Sequence, residues 1–257
     1  MQFFGFVALL LLLLPGLTAA AVTQSNWLQA DLQHYLPDWE LHLIGEASDR
    51  LLVIHREAMT PYQQGTLVLL PDPSQHPASP RQINFLRHAM NQHGWSTVAV
   101  LPNYPALANT AADSDDGETL SLFQQQLQLV LSQQAWQAGH LVILAQGQSG
   151  YLLSQLDWAQ QPRQPEALVF LSSYHMDPAS NRELAQRISR QTIPVLDLAH
   201  HRDYLHITST FELRRQWSHR HANLLYRQRL ITGHAELETT QQVMYKEVYG
   251  WLSYLGL

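Results

Sequence analysis

The stretch that decides the fold is residues 141–150, with the sequence L-V-I-L-A-Q-G-Q-S-G. Its first half, Leu141–Ala145, is an uninterrupted apolar run, which is typical of a strand buried on both faces of a parallel sheet. The run passes directly into a glycine-containing turn and then into a helical pattern carrying Leu152, Leu153 and Leu156. A buried strand, a sharp turn and a helix in immediate succession predict an α/β architecture.

Apolar strands and helical patterns alternate on both sides of this segment. The other predicted strands are an antiparallel pair at 40–44 and 50–56, followed by 66–70, 96–101, 167–171, 193–198 and 224–231. The clearest predicted helix has Ser79 as its N-cap and ends at Gly94. Other helical patterns lie near residues 120–130, 181–190 and 244–255. The sequence therefore predicts a single domain over residues 22–257, with a mostly parallel, doubly wound sheet, leading antiparallel strands and helices on both faces.

The first 21 residues are predicted to be a secretory signal peptide. Residues 3–17 are almost all apolar, and the alanines at 19–21 are typical of a signal-peptide cleavage site. Residues 1–30 contain no Lys or Arg, so a retained membrane anchor is the alternative. An anchor needs about 20 uninterrupted apolar residues, and Pro15-Gly16 interrupts this run, which favours cleavage. We therefore expect a periplasmic or secreted protein without a stable membrane span.

Composition and charge exclude several classes of function. The 257 residues include no cysteine, which excludes a disulfide scaffold, a thiolate metal site and a cysteine nucleophile. With 15 Lys and Arg against 21 Asp and Glu, the net charge is −6, and the longest basic run is Arg214-Arg215, so nucleic acid is not an expected partner. The glycine-rich motifs of nucleotide sites are absent, and no cofactor is expected.

A turn, an acid and a histidine follow three of the strands in a characteristic order. The glycine-containing turn follows the strand 141–145, Asp203 follows 193–198, and His234 follows 224–231. This order resembles the α/β-hydrolase superfamily, whose triad runs nucleophile, acid, histidine, with the nucleophile on a G-x-S-x-G elbow between a strand and a helix. The resemblance implies that Asp203 is the acid and His234 the histidine.

Three segments resemble a narrower group within that superfamily, an uncharacterised family of exported bacterial proteins. They are L-L-P-D-P-S-Q-H-P at 69–77, L-R-H-A-M-N-Q-H-G-W-S-T-V-A-V-L-P at 86–102, and A-Q-G-Q-S-G at 145–150. This resemblance implies the fold but no established reaction. In the superfamily the loop that carries Asp72 and Gln75 supplies an oxyanion amide, and Pro71 and Pro73 in this loop have no N–H to donate.

The resemblance fails at the nucleophile. Aligned from the end of the strand, the elbow motif places Gly147 between Gln146 and Gln148 at the position of the attacking residue. Glycine has no side chain, so we predict a protein that has lost serine-hydrolase catalysis and binds an envelope protein or a small ligand. The alternative is a divergent esterase or lipase-like hydrolase in which Ser149 works with Asp203 and His234.

Two clusters suggest a metal, and both have simpler interpretations. A carboxylate and three imidazoles lie close together in sequence: His200, His201, Asp203 and His206. Their spacing is not that of a zinc site, which favours solvated loop histidines. Three aspartates precede a helix: Asp113, Asp115 and Asp116. They lack the spacing of a calcium-binding loop and suit a helix N-terminus, so no metal is expected.

Overall fold

The computed structural model describes residues 30–46, 50–107 and 116–257. The predicted signal peptide, Asp113 and Asp115 lie outside the described residues. Within these ranges eight strands form one sheet in the spatial order β1-β2-β4-β3-β5-β6-β7-β8. The strands are β1 (Leu41–Ile44), β2 (Leu51–Arg56), β3 (Gly65–Leu70), β4 (Trp95–Val100), β5 (His140–Gln146), β6 (Ala167–Leu171), β7 (Val195–His200) and β8 (Tyr226–Ile231).

Strand directions agree with the predicted fold class. Strand β2 pairs antiparallel with both β1 and β4. Every pair from β4 through β3, β5, β6 and β7 to β8 is parallel. The prediction of a mostly parallel sheet with leading antiparallel strands is therefore confirmed.

Helices cover both faces of the sheet, as predicted. They are α1 (Gln82–Ala89), α2 (Asp116–Leu131), α3 (Gln148–Leu153), α4 (Pro178–Ser189), α5 (Leu205–Thr208), α6 (Phe211–Arg220) and α7 (Glu238–Leu255). Alternate residues of each central strand enter different cores: Ile143 of β5 packs in the core with α2, α3 and α4, whereas Val142 and Leu144 pack in the core with α1 and α7. None of the helices in the described part of the chain is long and apolar enough to cross a membrane.

The helix predicted between Ser79 and Gly94 begins later than expected. The N-cap of α1 is Arg81, and a 3₁₀ turn at Met90–His93 extends the helix to Gly94, which has a φ of +85°. The backbone N–H of Arg81 donates to the Ser79 carbonyl, so the chain around Pro80 forms a tight turn in place of the first helical turn. The start at Ser79 was wrong for this reason, whereas the end at Gly94 is confirmed.

Candidate functional site

The candidate site lies where the connections of the sheet diverge. After β3 the chain leads to β4 on one side, and after β5 it leads to β6 on the other, although β3 and β5 are neighbours. Ligands of open α/β sheets bind at such a point, beyond the carboxyl ends of the strands. A cavity of about 490 Å³ lies there, and Gly147, Asp203 and His234 all line it.

Gly147 forms the sharp turn between β5 and α3. Its φ of +60° and ψ of −130° lie in a region that side chains strongly disfavour. The backbone N–H of Gly147 donates to the Leu171 carbonyl at the end of β6, at 3.0 Å, and α3 begins with the next residue, Gln148. The strand, turn and helix of a nucleophile elbow are thus present, and the residue at the turn has no side chain.

The carboxylate of Asp72 fills the space above Gly147. A Cβ atom added to Gly147 would lie 2.0 Å from Oδ2 of Asp72. The same oxygen accepts a hydrogen bond from the backbone N–H of Gln148 at 2.9 Å. At an active elbow, the N–H that follows the nucleophile stabilises the oxyanion of the reaction. In this protein a fixed internal carboxylate accepts that hydrogen bond.

Further contacts hold the Asp72 carboxylate in this position. Its Oδ1 accepts hydrogen bonds from the backbone N–H of Ser74 at 2.9 Å and from the Ser74 hydroxyl at 2.5 Å. Burial raises the pKa of the Tyr174 hydroxyl, and the charge of Asp72 and a hydrogen bond to it raise this pKa further, so the hydroxyl keeps its proton. The carboxylate is buried and has donors on both oxygens.

Ser149 lies inside α3 and is fully buried, with 0% of its surface exposed. Its Oγ donates to the Pro71 carbonyl and lies 2.9 Å from the Tyr104 hydroxyl. Burial also raises the pKa of the Tyr104 hydroxyl, which therefore stays protonated. The lining of the cavity includes Gly147 and does not include Ser149. These contacts attach α3 to the loops that follow β3 and β4.

Asp203 and His234 line the same cavity but have different partners. Oδ2 of Asp203 accepts hydrogen bonds from the Ser172 hydroxyl at 2.6 Å and from the His200 backbone N–H at 2.8 Å. Burial alone would raise the pKa of Asp203, but the hydrogen bonds from His200 and Ser172 hold it below its ordinary value. The ring of His234 contacts the guanidinium of Arg202. Among the described residues, no hydrogen bond joins the Asp203 carboxylate to the His234 ring.

A buried network of polar side chains at the cavity was not predicted from the sequence, except that Gln146 was assigned to the elbow. The Gln146 amide donates to Oε1 of Gln82 at 2.7 Å, and Nε2 of Gln82 lies 3.1 Å from the ring nitrogens of His200. Ser172 has a φ of +48°, an unusual backbone conformation for a serine. Ser172 could have been predicted as a site residue because it directly follows β6. Gln82 lies on α1, where the sequence gives no such indication.

The residues of the suggested metal sites have other contacts. The His200 ring is buried against Gln82, and the His206 ring packs against the rings of Tyr174 and Tyr204. Asp116 lies in the first turn of α2. In the described ranges there is no group of three or more His, Asp or Glu side chains that could hold a metal ion.

Sequence comparison assigns the chain to a family. A family model described as "Protein of unknown function (DUF3530)" matches residues 15–120 and 111–254. The chain belongs to this family. No curated protein matches the DUF3530 chain in sequence.

Solved structures that resemble this DUF3530 protein are α/β hydrolases. Est1E from Butyrivibrio proteoclasticus has a TM-score of 0.63 at 10% identity, over 84% of this chain and 98% of that protein. An alpha-beta serine hydrolase homologue from Coxiella burnetii has a TM-score of 0.56 at 15% identity, over 83% and 97%. A dienelactone hydrolase from Anabaena variabilis has a TM-score of 0.59 at 11% identity, over 83% and 96%. The predicted resemblance to an uncharacterised family with the α/β-hydrolase fold is confirmed.

Proposed function

We propose that this DUF3530 protein binds a polar ligand in the cavity above Gly147 and does not form an acyl intermediate at the elbow. One observation carries the proposal: Oδ2 of Asp72 lies where the side chain of a nucleophile would stand and accepts the hydrogen bond of the Gln148 N–H. The elbow therefore offers neither an oxygen that could attack a substrate nor a free N–H that could stabilise the oxyanion.

The lack of a nucleophile and of a free oxyanion donor would lower a hydrolysis rate so much that binding is favoured over catalysis. Loss of a catalytic serine can lower kcat by about 10⁶-fold, and loss of one oxyanion donor by about 10²–10³-fold. The negative charge of Asp72 would also repel the negative charge that develops on a substrate carbonyl at the same place. No repositioning of Asp203 or His234 compensates for effects of this size.

The alternative function is ester hydrolysis with Ser149 as the nucleophile and with Asp203 and His234 as its partners. This alternative is supported by the fact that Asp203, His234 and the elbow line the same cavity. It requires that the Ser149 hydroxyl leave its bonds to Pro71 and Tyr104 and enter the cavity.

Labelling with a serine-reactive fluorophosphonate, together with turnover of p-nitrophenyl acetate, separates the two functions. The proteins compared are the wild type, Ser149→Ala, Ser172→Ala and, as a control, Ser253→Ala on the exposed side of α7. We expect no labelling and no turnover above the buffer rate in any of them. Labelling of the wild type that disappears in Ser149→Ala or in Ser172→Ala overturns the proposal, because either result identifies a working nucleophile.

We also propose that the chain is exported to the periplasm or the medium, on the basis of the apolar segment and the alanines within residues 1–21. The expected result is a mature protein, purified from an envelope or medium fraction of a Gram-negative host, whose intact mass lacks about the first 21 residues. A protein that retains these residues in the membrane fraction contradicts the cleavage and supports an anchor.

A further inference from the structure

A second cavity lies beside the first, between α1 and α7, with a volume of about 550 Å³. Both cavities are lined by Arg81 and Glu236, whose side chains form an ion pair at 2.9 Å. The two side chains are exposed, at 51% and 65%, so the pair forms the boundary between two open spaces. The two cavities are therefore adjacent, and we refer to them together as the groove, which extends from the Gly147 elbow to the α1–α7 face.

The lining of this groove carries many polar side chains. Small-molecule pockets are mostly apolar, with a few polar groups that orient the ligand. In this groove the apolar side chains are a minority, and amides recur along its length: Gln75, Gln82, Gln146, Asn84, Gln92 and Gln241. Because a buried polar group without a partner is costly, an occupant of the groove must offer many hydrogen-bond donors and acceptors.

Most of the charged groups of the groove have partners within the chain, and Glu238, which lines the second cavity, is exposed and forms no ion pair among the described residues. Arg81 is paired with Glu236, and the guanidinium of Arg202 contacts the ring of His234. The carboxylates of Asp72 and Asp203 accept hydrogen bonds from neighbouring residues of the chain itself. A charged ligand that pairs with Arg81, Asp72 or Asp203 would have to displace one of these partners, whereas a neutral ligand leaves them in place.

Two further features fit a polyhydroxyl ligand. The Gln146 side chain lines the first cavity, and its buried Oε1 has no hydrogen-bond partner in the described part of the chain. Aromatic rings line both cavities: Tyr204, with 75% of its surface exposed, in the first, and Phe85 and Tyr245 in the second. The negatively polarised face of an aromatic ring attracts the C–H groups of a sugar ring.

From these observations we propose that the groove binds a neutral oligosaccharide that occupies both cavities and crosses the Arg81–Glu236 pair. This inference rests on the proposed function, because it assigns a ligand class to the same cavity above Gly147. It adds the second cavity, the length of the ligand and its chemistry. Amides, carboxylates and guanidinium groups bind hydroxyls through paired hydrogen bonds, and the aromatic rings pack against the sugar faces.

The experiment is calorimetric titration of the mature protein with maltohexaose, cellohexaose and chitohexaose, and with the disaccharide of each. We expect at least one hexasaccharide to bind at least tenfold more tightly than its disaccharide, because only the longer ligand reaches both cavities. Arg81→Ala is expected to weaken hexasaccharide binding at least fivefold and disaccharide binding less. The control is Arg215→Ala, which breaks an exposed ion pair with Glu212 on α6 and is expected to leave binding unchanged.

Two outcomes overturn the inference. One is that none of the three hexasaccharides binds at millimolar concentration to protein whose thermal transition shows that it is folded. The other is that hexaglycine binds instead and Arg81→Ala weakens it, which assigns the groove to a peptide. Neither outcome touches the fluorophosphonate result, so a failed ligand class is distinguishable from a failed assignment of the elbow.

Discussion

At position 147 the packing of neighbouring residues requires a glycine. The positive φ of Gly147 disfavours every other residue type, and the volume that a side chain would need is filled by the Asp72 carboxylate. That carboxylate also satisfies the first free N–H of α3, which would otherwise be without a partner at the base of the cavity. Replacing the glycine alone therefore creates a collision with Asp72.

We predict that Gly147→Ala lowers the free energy of unfolding by about 2–5 kcal/mol, through about 1–3 kcal/mol of backbone strain and a further contribution from overpacking against Asp72. Urea denaturation measures this difference. In an Asp72→Ala background the same substitution should cost less, because the colliding oxygen is gone and only the backbone strain remains.

Two other glycines separate these contributions. Gly256 has a φ of +80° and a ψ of +21°, in the left-handed helical region, with open space around its Cβ position, so Gly256→Ala gives a lower bound for the backbone strain at Gly147. Gly250 has open space and no unusual φ, so Gly250→Ala should be neutral or slightly stabilising within α7. A cost at Gly147 no larger than that at Gly256 contradicts the collision with Asp72.

The sequence could locate this turn but not its occupant. Gly147 was found because it follows an apolar strand at a fixed distance, and that relation is local in the chain. The contact with Asp72 joins residues 75 positions apart, and it depends on the pairing of β3 with β5. Nothing in the loop sequence P-D-P indicates that its acid turns toward the elbow instead of into solvent.

The same contrast holds for whole elements. The central strands were predicted within one or two residues because parallel strands are continuous apolar runs. Helix α6 was not predicted, since its buried face is formed by Phe211, Arg214 and Ser218, which lack the apolar repeat of an ordinary amphipathic helix. Its attachment to the sheet depends on an ion pair in the interior.

Arg214 and Asp197 form this pair at 3.0 Å, and both side chains are 0% exposed. The second guanidinium nitrogen of Arg214 donates to the Ser173 carbonyl at 2.6 Å, in the loop that carries Ser172 and Tyr174 into the cavity. Helix α6 therefore supports one wall of the candidate site through Arg214, and Phe211 of the same helix packs near Ile207 and Tyr174 of the cavity lining.

We predict that Arg214→Leu lowers the free energy of unfolding by about 3–5 kcal/mol, because Asp197 is left as a buried charge without its partner. The neighbouring Arg215→Leu removes an exposed, solvent-screened ion pair with Glu212 and should change the free energy of unfolding far less. Urea denaturation of both variants provides the comparison. Equal costs at the two positions would show that the interior pair does not attach α6 to the sheet.

At the scale of the molecule, the predicted single domain requires that the two cores unfold together. Each central strand contributes alternate side chains to both cores, so neither core can be lost while the sheet remains packed. Trp95 and Trp251 report on the core with α1 and α7, and Trp136 and Trp158 report on the core with α2, α3 and α4. Chains of this length often unfold through intermediates, so cooperative unfolding is an informative outcome.

We predict that urea unfolding followed by far-UV circular dichroism and by tryptophan fluorescence gives coincident transitions with the same midpoint. The test is sharpened by a double variant, Trp95→Phe with Trp251→Phe, which removes both buried tryptophan signals of the α1–α7 core and should leave the fluorescence midpoint equal to that of circular dichroism in the same variant. Both methods measure the same variant protein, so any change in its overall stability shifts both midpoints equally. A difference between the two midpoints would therefore mean that the α1–α7 core unfolds separately from the rest of the sheet, and the single-domain prediction would be wrong.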